Sequence, residues 1–111
     1  MRHAKRTDEK TTARKTTELI VKFLNDSGHF AWRQVNTPVR RRKNIVHRGT
    51  GDIVGILKNG KHMEVEVKND DDVMSLYQEQ HKEMIEKRFG YYFVAKSFDD
   101  FYKQYGDMFN V

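Results

Sequence analysis

The dipeptide Asn59-Gly60 separates two runs of alternating side chains, and it constrains the fold more than any other feature of the sequence. Asn-Gly is typical of a tight β-hairpin, because the favoured two-residue turns need positive φ at their central positions. Residues 52–57 and 62–68 are therefore predicted to be antiparallel strands joined by this turn.

A two-residue turn also predicts which residues face each other across the hairpin. Lys58 pairs with Lys61, and the same register places Asp52 opposite Val67, close to Glu66. A bulge in the hairpin would shift the pairing by one residue.

The second strand of the hairpin carries an unusual charged face. Alternation separates two sets of side chains: Met63, Val65 and Val67 on one face, and Glu64, Glu66 and Lys68 on the other. Two carboxylates on one strand face repel each other, and burying either without a partner is costly. A solvated face of alternating charge would carry no such cost and remains an alternative, because Glu-x-Lys is common on strands.

Asp52 adds a further acid near this face, and together these groups predict a chemical role for it. If Asp52 and Glu66 converge beside Lys68, the carboxylates form an oxygen-rich pocket suited to Mg²⁺ or Mn²⁺. A divalent ion there would lower the pKa of a bound water and stabilise charge on a phosphate. Lys68 could orient the attacking water and support the same charge. The pattern is consistent with phosphodiester hydrolysis.

Composition restricts the remaining classes of protein. With 111 residues a single domain is expected, and the absence of cysteine excludes disulfides and Cys-based zinc sites. No membrane helix or secretory signal is expected, so a cytoplasmic protein is predicted. The five histidines show no metal-ligand spacing, which argues against a zinc hydrolase.

The charge is divided unevenly between the two halves of the chain. Residues 1–50 hold 13 Lys/Arg against 4 Asp/Glu, whereas residues 51–111 hold 8 against 12. A basic half indicates a polyanionic partner such as nucleic acid, with ordinary solvated surface as the alternative. We assign residues 1–15 to a basic, flexible arm or a frayed helix start, and residues 16–111 to one domain.

The periodicity predicts the element order α-β-β-β-α-β-α. Thr16 or Thr17 would cap the first helix, and a strand over residues 29–35 would present Phe30, Trp32 and Val35 on its apolar face. The remaining elements are the hairpin, a helix capped by Ser75 and closed by Gly90, a strand over residues 91–95 and a helix capped by Ser97. The predicted architecture is α/β (α+β), with a small mixed central sheet flanked by helices.

Several segments in this order resemble the PD-(D/E)XK nucleases, and especially their virus-type replication-repair (VRR-NUC) branch. The segment GTGDIVGILKNGKHMEVEVK at 49–68 resembles the family core, and WRQVN at 32–36 resembles its first strand. SLYQ at 75–78 and GYYFVAKSFDDF at 90–101 resemble the following helix start, strand and helix. Gly51 stands where the motif has proline, and Phe89-Gly90 stands where a glycine pair is usual. The resemblance covers roughly residues 16–105 and implies a restriction-endonuclease-like core in αβββαβ order.

Carried over to this chain, the resemblance implies an active site. Asp52 and Glu66 would bind Mg²⁺ or Mn²⁺ with the backbone carbonyl of Val67, and Lys68 would be the catalytic lysine. Gln78 would contact phosphate or water, with Gln80 as a less favoured candidate. Two further acids complete the set. Glu18 matches an acid that many relatives direct toward the metal, although an exposed position near Lys22 is an equal reading, and Glu64 would flank the site.

The resemblance also implies the substrate and its contacts. The expected function is a metal-dependent DNA endonuclease, acting as a symmetric homodimer, with branched DNA such as a Holliday junction as a substrate and a bacterial or phage-infected cell as its setting. The basic residues expected to bind DNA are Arg33, Arg40, Arg41, Arg42, Lys43 and Arg48. The alternatives are an inactive nuclease fold that binds nucleic acid and a protein-interaction domain.

Overall fold

The computed structural model describes residues 5–34, 49–69 and 71–109, with side chains described from residue 12 onward. These residues form a compact α+β fold with three helices and one four-stranded mixed sheet. The elements are α1 (Lys5–Asp26), β1 (Phe30–Arg33), β2 (Ile53–Ile56), β3 (His62–Val67), α2 (Leu76–Lys87), β4 (Tyr91–Ala95) and α3 (Phe98–Phe109). The predicted element order is confirmed.

The sheet has the strand order β1-β2-β3-β4. The first three strands are antiparallel, and β4 runs parallel to β3, which requires the crossover through α2. No helix in these described ranges is long and apolar enough to cross a membrane.

One face of the sheet supports the hydrophobic core. Helices α1 and α3 both pack against this face and against each other. The buried side chains include Ile20, Leu24, Ile53, Met63, Val65, Phe93 and Phe101. Phe23 of α1 meets the α3 rings of Phe98, Phe101 and Tyr105 edge-on, an arrangement that aromatic pairs prefer. The charged side chains of β3 consequently face away from this core.

Helix α1 begins at Lys5, so the prediction that Thr16 or Thr17 caps it is wrong. Residues 5–15 of the predicted arm are helical. The Thr17 hydroxyl donates to the Ala13 carbonyl at 2.9 Å, one turn earlier, and the threonine therefore fits inside the helix.

The hairpin register differs from the prediction by one residue. The loop has three residues, because Leu57 N–H donates to the Lys61 carbonyl at 2.8 Å, and Gly60 alone in this loop has positive φ, at 88°. This is the alternative hairpin geometry in which a left-handed residue follows a tight turn. Ile53 therefore pairs with Val65, and extending that register places Asp52 opposite Glu66 rather than Val67.

Strand β1 presents its aromatic side chains away from the core. Ala31 is the buried residue of this strand, whereas Phe30 is 63% exposed and Trp32 is 37% exposed. The apolar face predicted for this strand is therefore not the core face. Ala31 packs closely on Gly55 of β2, where a Cβ would lie 3.0 Å from the Ala31 Cβ. Val35 lies outside the described residues.

The predicted caps of α2 and α3 are present, but α2 ends differently from the prediction. The Ser75 hydroxyl accepts Gln78 N–H, and the Ser97 hydroxyl accepts Asp100 N–H. Phe89, with φ of 68°, takes the left-handed position after α2 that Gly90 was expected to fill. Glycine is required at position 90 because a side chain does not fit there: a Cβ would lie 2.7 Å from a methyl group of Ile85.

Candidate active site

The charged face of β3 is covered rather than solvated. Glu64 is only 3% exposed and Glu66 only 7% exposed. The crossover from β3 to β4 brings α2 over this face, where Gln78 and His81 reach the two carboxylates. The alternative of a solvated hairpin face is therefore excluded for both acids, which have specific partners as buried charges require.

Asp52 is held at the start of β2 by the backbone of β3. Its Oδ2 accepts Val67 N–H at 2.8 Å, while Oδ1 accepts no hydrogen bond from the described residues. Burial raises the pKa of Asp52, and this outweighs the opposing effects of the Val67 N–H and the charges of Lys68 and Arg33. One carboxylate oxygen is thus bonded to the fold, and the other has no hydrogen bond within the described residues.

Glu66 faces Asp52 across the hairpin and is bound from two sides. Its Oε2 accepts a 2.8 Å hydrogen bond from Gln78 Nε2 and lies 3.5 Å from the ammonium nitrogen of Lys68. Burial, followed by the negative charge of Asp52, raises the pKa of Glu66 to about 7 despite these two partners. Its Oε1 accepts no hydrogen bond from the described part of the chain. The two acids therefore form a crowded pair that a further cation would stabilise.

Gln78 reaches Glu66 because the start of α2 fixes its side chain. Its Oε1 accepts Ser75 N–H at 2.9 Å, completing the capping box in which the Ser75 hydroxyl accepts Gln78 N–H. With the amide oxygen engaged by the backbone, Nε2 is free to donate to the carboxylate. Gln80 is exposed on the same helix, so it is Gln78 that contacts the acid.

Glu64 is the centre of a second cluster that the sequence did not reveal. Its carboxylate accepts Gly51 N–H at 2.8 Å and lies 2.6 Å from His62 Nε2 and 3.0 Å from His81 Nε2. Glu64 thereby connects β3 to α2 and to the residue preceding Asp52. A signal was present in the spacing, since His81 follows Gln78 by three residues and so shares its helix face.

Gly51 is required where the resembled motif has proline. Its N–H is the donor to Glu64, and proline has none. A Cβ at this position would also lie 2.8 Å from the Val65 carbonyl oxygen. The close approach of the two backbones allows Asp52 to reach Val67.

Tyr92 is a further residue near the acids that the sequence did not predict. It pairs with Glu64 across the parallel strands, and its hydroxyl donates to the Gly49 carbonyl at 3.0 Å. Burial, together with the charges of Glu66, Glu64 and Asp52, raises the pKa of Tyr92. Its hydroxyl therefore stays neutral and serves as a donor that anchors the segment leading to Asp52.

The other predicted site residues are not joined to the acids in the same way. Glu18 is exposed on α1, which packs on the opposite face of the sheet, and within the described residues no hydrogen bond or ion pair joins it to Asp52 or Glu66. Arg33 is exposed on β1, and its charge partly opposes the rise in the pKa of Asp52 that burial causes. The predicted DNA contacts Arg40, Arg41, Arg42, Lys43 and Arg48 lie outside the described residues.

In the part of the chain that the structure describes, the side chains at this site that could bind a metal ion are the carboxylates of Asp52 and Glu66. Among residues 5–34, 49–69 and 71–109, no group of three or more His, Asp or Glu side chains is placed to hold a metal ion. Asp52 and Glu66 nevertheless each leave one oxygen open, and both are hard ligands suited to Mg²⁺ or Mn²⁺.

The fold and site define an α+β protein with a buried pair of acids beside a lysine. Comparison of the chain with protein-family models, with curated protein sequences and with solved structures gives no match.

Proposed function

We propose that this protein is a metal-dependent endonuclease of the PD-(D/E)XK type that hydrolyses DNA phosphodiester bonds with Mg²⁺ or Mn²⁺. The observation that carries the proposal is the pair of open oxygens on Asp52 and Glu66, beside an ammonium group 3.5 Å from Glu66. Each acid uses its other oxygen to bind the fold, which holds the pair in place before any ligand arrives.

The residues that would hold the metal are Asp52, Glu66 and the carbonyl of Val67. Within a strand, the N–H and C=O of one residue point to the same edge, so the Val67 carbonyl lies on the side where its N–H meets Asp52. The raised pKa of Glu66 has the charge of Asp52 among its causes, and a divalent cation would offset that repulsion. When bound, the ion supplies a water of lowered pKa and a positive charge for the phosphate oxygen.

Lys68 and Gln78 supply the remaining polar groups. The Lys68 ammonium is largely buried, and its position beside Glu66 lets it stabilise negative charge that develops on a phosphate. Gln78 holds the Glu66 carboxylate by one oxygen and thereby directs the other toward the site. Neither group needs to give up a proton for these roles.

The element order supports the finer assignment to a restriction-endonuclease-like core. The order αβββαβ, with one acid immediately before the second strand, one on the third strand and the glutamine on the following helix, is the order that the resemblance implies. On the same basis we propose the basic segment of the chain as a DNA contact, a symmetric homodimer as the acting form, and branched DNA as a substrate.

The test is a panel of linear, single-stranded and four-way-junction DNA incubated with the protein and Mn²⁺, Mg²⁺ or EDTA. We expect cleavage with either metal and none with EDTA, and a loss of at least 100-fold in rate for Asp52→Asn and Lys68→Ala, the order that a lost charge-stabilising group commonly costs. Lys82→Ala is the matched control, since the ion pair of Lys82 within the described residues is with Glu86 on α2. Intact DNA in every metal-loaded reaction would overturn the nuclease proposal.

Binding measured in the same panel separates the inactive-module alternative. A protein that binds DNA with a strong salt dependence yet cuts nothing would be a nuclease fold used for binding alone. Salt-independent or absent DNA binding would favour the protein-interaction alternative instead.

A further inference from the structure

The chain approaches Asp52 along the side of α2. Gly49, three residues earlier, has φ of 89°. A Cβ at Gly49 would lie 2.2 Å from the backbone carbonyl oxygen of Tyr77 and 2.9 Å from the Cβ of His81, so glycine is required for this close approach. Helix α2 and the backbone leading into Asp52 are therefore packed directly on each other.

Glu64 connects this backbone to α2 through its side chain. Its Oε1 accepts Gly51 N–H at 2.8 Å, and both of its oxygens lie 3.0 Å from His81 Nε2. The side chains of Glu64 and His81 are 3% and 13% exposed, so water competes little for these bonds. The His81 ring also lies edge-on to Tyr92, whose hydroxyl donates to the Gly49 carbonyl. The imidazole is thus fixed between an acid and an aromatic ring of the sheet.

The hydrogen bonds of Glu64 distinguish it from the two acids proposed to bind metal. Asp52 and Glu66 each have one carboxylate oxygen without a hydrogen bond from the described residues, whereas both oxygens of Glu64 have partners. A further partner of Glu64 is His62, whose Nε2 lies 2.6 Å from Oε2. Glu64 is consequently suited to hold the backbone and not to receive a cation.

The geometry points to His81 as a positioning residue for Asp52, acting through Glu64. His81 holds the Glu64 carboxylate, which in turn holds Gly51 N–H. Because the peptide bond between Gly51 and Asp52 is planar, the position of the first residue restricts the position of the second. This inference rests on the proposed function, in which Asp52 binds the metal ion. His81 then affects the metal without binding it.

Helix α2 thereby orients both proposed metal ligands. Gln78 donates directly to Glu66 at 2.8 Å, and His81, about one turn later on the same helix face, acts on Asp52 through the backbone. The crossover helix and the pair of acids are consequently one unit, in which a change at either polar side chain of α2 alters a metal ligand.

Three backbone amides report on this link in the protein without metal or DNA. Gly51 N–H reports on the bond to Glu64, and Val67 N–H reports on the bond to Asp52 Oδ2. Leu57 N–H, which donates to a carbonyl at the far end of the hairpin, reports on the sheet itself. Amide hydrogen exchange measured by NMR in EDTA follows all three.

The variant His81→Phe keeps a ring against Tyr92 and removes Nε2. We expect it to accelerate exchange at Gly51 and Val67 by about 10-fold or more and to leave Leu57 within about 3-fold of the parent. Equal acceleration at all three amides indicates general loosening of the fold and overturns the inference. Unchanged exchange at the first two amides overturns it as well.

Rescue and control variants separate positioning from simple loss of a buried partner. His81→Gln places an amide donor near the former Nε2 and should return exchange to within about 3-fold of the parent. His62→Phe is the matched control, since it removes the other imidazole at Glu64 and leaves the link to α2 in place. Acceleration by His62→Phe equal to that by His81→Phe overturns the inference. If His81→Phe does not fold, His81→Asn, whose amide lies nearer the backbone, replaces it in the same comparison.

Metal binding measures the consequence at the site. Mn²⁺ alone is titrated into the folded variants by calorimetry, and the Mn²⁺ concentration for half-maximal DNA cleavage is measured beside it. We expect His81→Phe to weaken Mn²⁺ binding by about 10-fold, with His81→Gln and His62→Phe within about 3-fold of the parent. A His81→Phe variant with the parent's dependence on Mn²⁺ overturns the positioning role.

The two proposals fail separately. Hydrogen exchange needs neither metal nor DNA, so a parent protein that binds no Mn²⁺ and cuts no DNA refutes the nuclease, while exchange still decides whether His81 positions Asp52. A parent that cuts DNA, with exchange and Mn²⁺ dependence unchanged in His81→Phe, refutes only the positioning role.

Discussion

The side-chain amide of Gln78 donates a 2.8 Å hydrogen bond to Glu66 Oε2. The same amide accepts Ser75 N–H at 2.9 Å, so the capping box of α2 and the acid on β3 share one side chain. Gln78, a member of the capping box at the start of α2, therefore also orients a carboxylate of the candidate site.

Gln78→Ala is expected to lower the rate of metal-dependent DNA cleavage by about 10- to 100-fold, the usual cost of losing a residue that orients a metal ligand. Steady-state cleavage of the best substrate measures the change. Gln80→Ala, on the exposed side of the same helix, is the control and should retain the parent rate.

Gln78→Glu distinguishes the two roles of this side chain. Glutamate at this position preserves the capping box, because its carboxylate still accepts Ser75 N–H. It no longer donates to Glu66, and it adds a negative charge beside it. A near-parental midpoint of thermal unfolding combined with lost cleavage is expected, and full cleavage by this variant would contradict the orienting role.

Glu66 makes the metal-free protein less stable at high pH. Its pKa of about 7 in the folded state lies above the ordinary value of 4.5, so the folded protein binds this proton more tightly than the unfolded chain does. The associated stability is fully present below about pH 4.5 and is lost as the pH rises through 7. In EDTA, Glu66→Gln should raise the free energy of unfolding at pH 8 by about 1–3 kcal/mol and change it little at pH 4.5.

Urea denaturation at the two pH values measures this difference. Glu83→Gln is the control, because Glu83 lies exposed on α2 beside Lys87 and should show no comparable dependence on pH. Equal destabilisation of the Glu66→Gln variant at both pH values would show that burial of the charged Glu66 carboxylate does not destabilise the folded protein.

Glu64→Ala is expected to lower the free energy of unfolding by about 2–4 kcal/mol. The substitution leaves Gly51 N–H without its acceptor and removes the shared partner of His62 and His81, and unpaired buried polar groups carry a large desolvation cost. Chemical denaturation measures the loss, with Glu83→Ala as the exposed control within about 0.5 kcal/mol. A loss below 1 kcal/mol for Glu64→Ala would contradict its role in connecting β3, α2 and the segment before Asp52.

Phe89→Gly is expected to stabilise the protein by about 0.5–1 kcal/mol. Phe89 has φ of 68° and is 75% exposed, so glycine relieves the left-handed conformation and gives up little burial. Phe89→Ala keeps the Cβ and should not produce this gain. Thermal and urea unfolding measure the stability of the two variants. Equal stability of Phe89→Gly and Phe89→Ala would show that the left-handed backbone at residue 89 does not cause a gain in stability.

The helix starts were predictable because they depend on neighbouring residues. Ser75 and Ser97 accept N–H groups three residues ahead in the chain, which a sequence pattern records directly. The first helix was placed less well, since Thr17 resembles a cap but bonds to Ala13 within a longer helix. Likewise, the left-handed position after α2 fell on Phe89 rather than Gly90, because Gly90 was needed for its small size.

The hairpin shows how one local choice changes the site. Asn59-Gly60 is compatible with a two-residue or a three-residue loop, and the difference moves the partner of Asp52 from Val67 to Glu66. In the observed register Asp52 lies opposite Glu66 on the same face of the sheet. In the predicted register it lies opposite Val67, between Glu66 and Lys68.

The sequence by itself determined the order of helices and strands, the two faces of β3 and the grouping of Glu64, Glu66 and Lys68, because these follow from periodicity and local hydrogen bonding. Only the tertiary structure decided that α2 covers the charged face, that Glu64 bonds to His62 and His81, and that Phe30 and Trp32 lie on the side of the acids. Those relationships join residues far apart in the chain, and their energies come from burial and pairing that exist only when the sheet and its crossover helix are packed together.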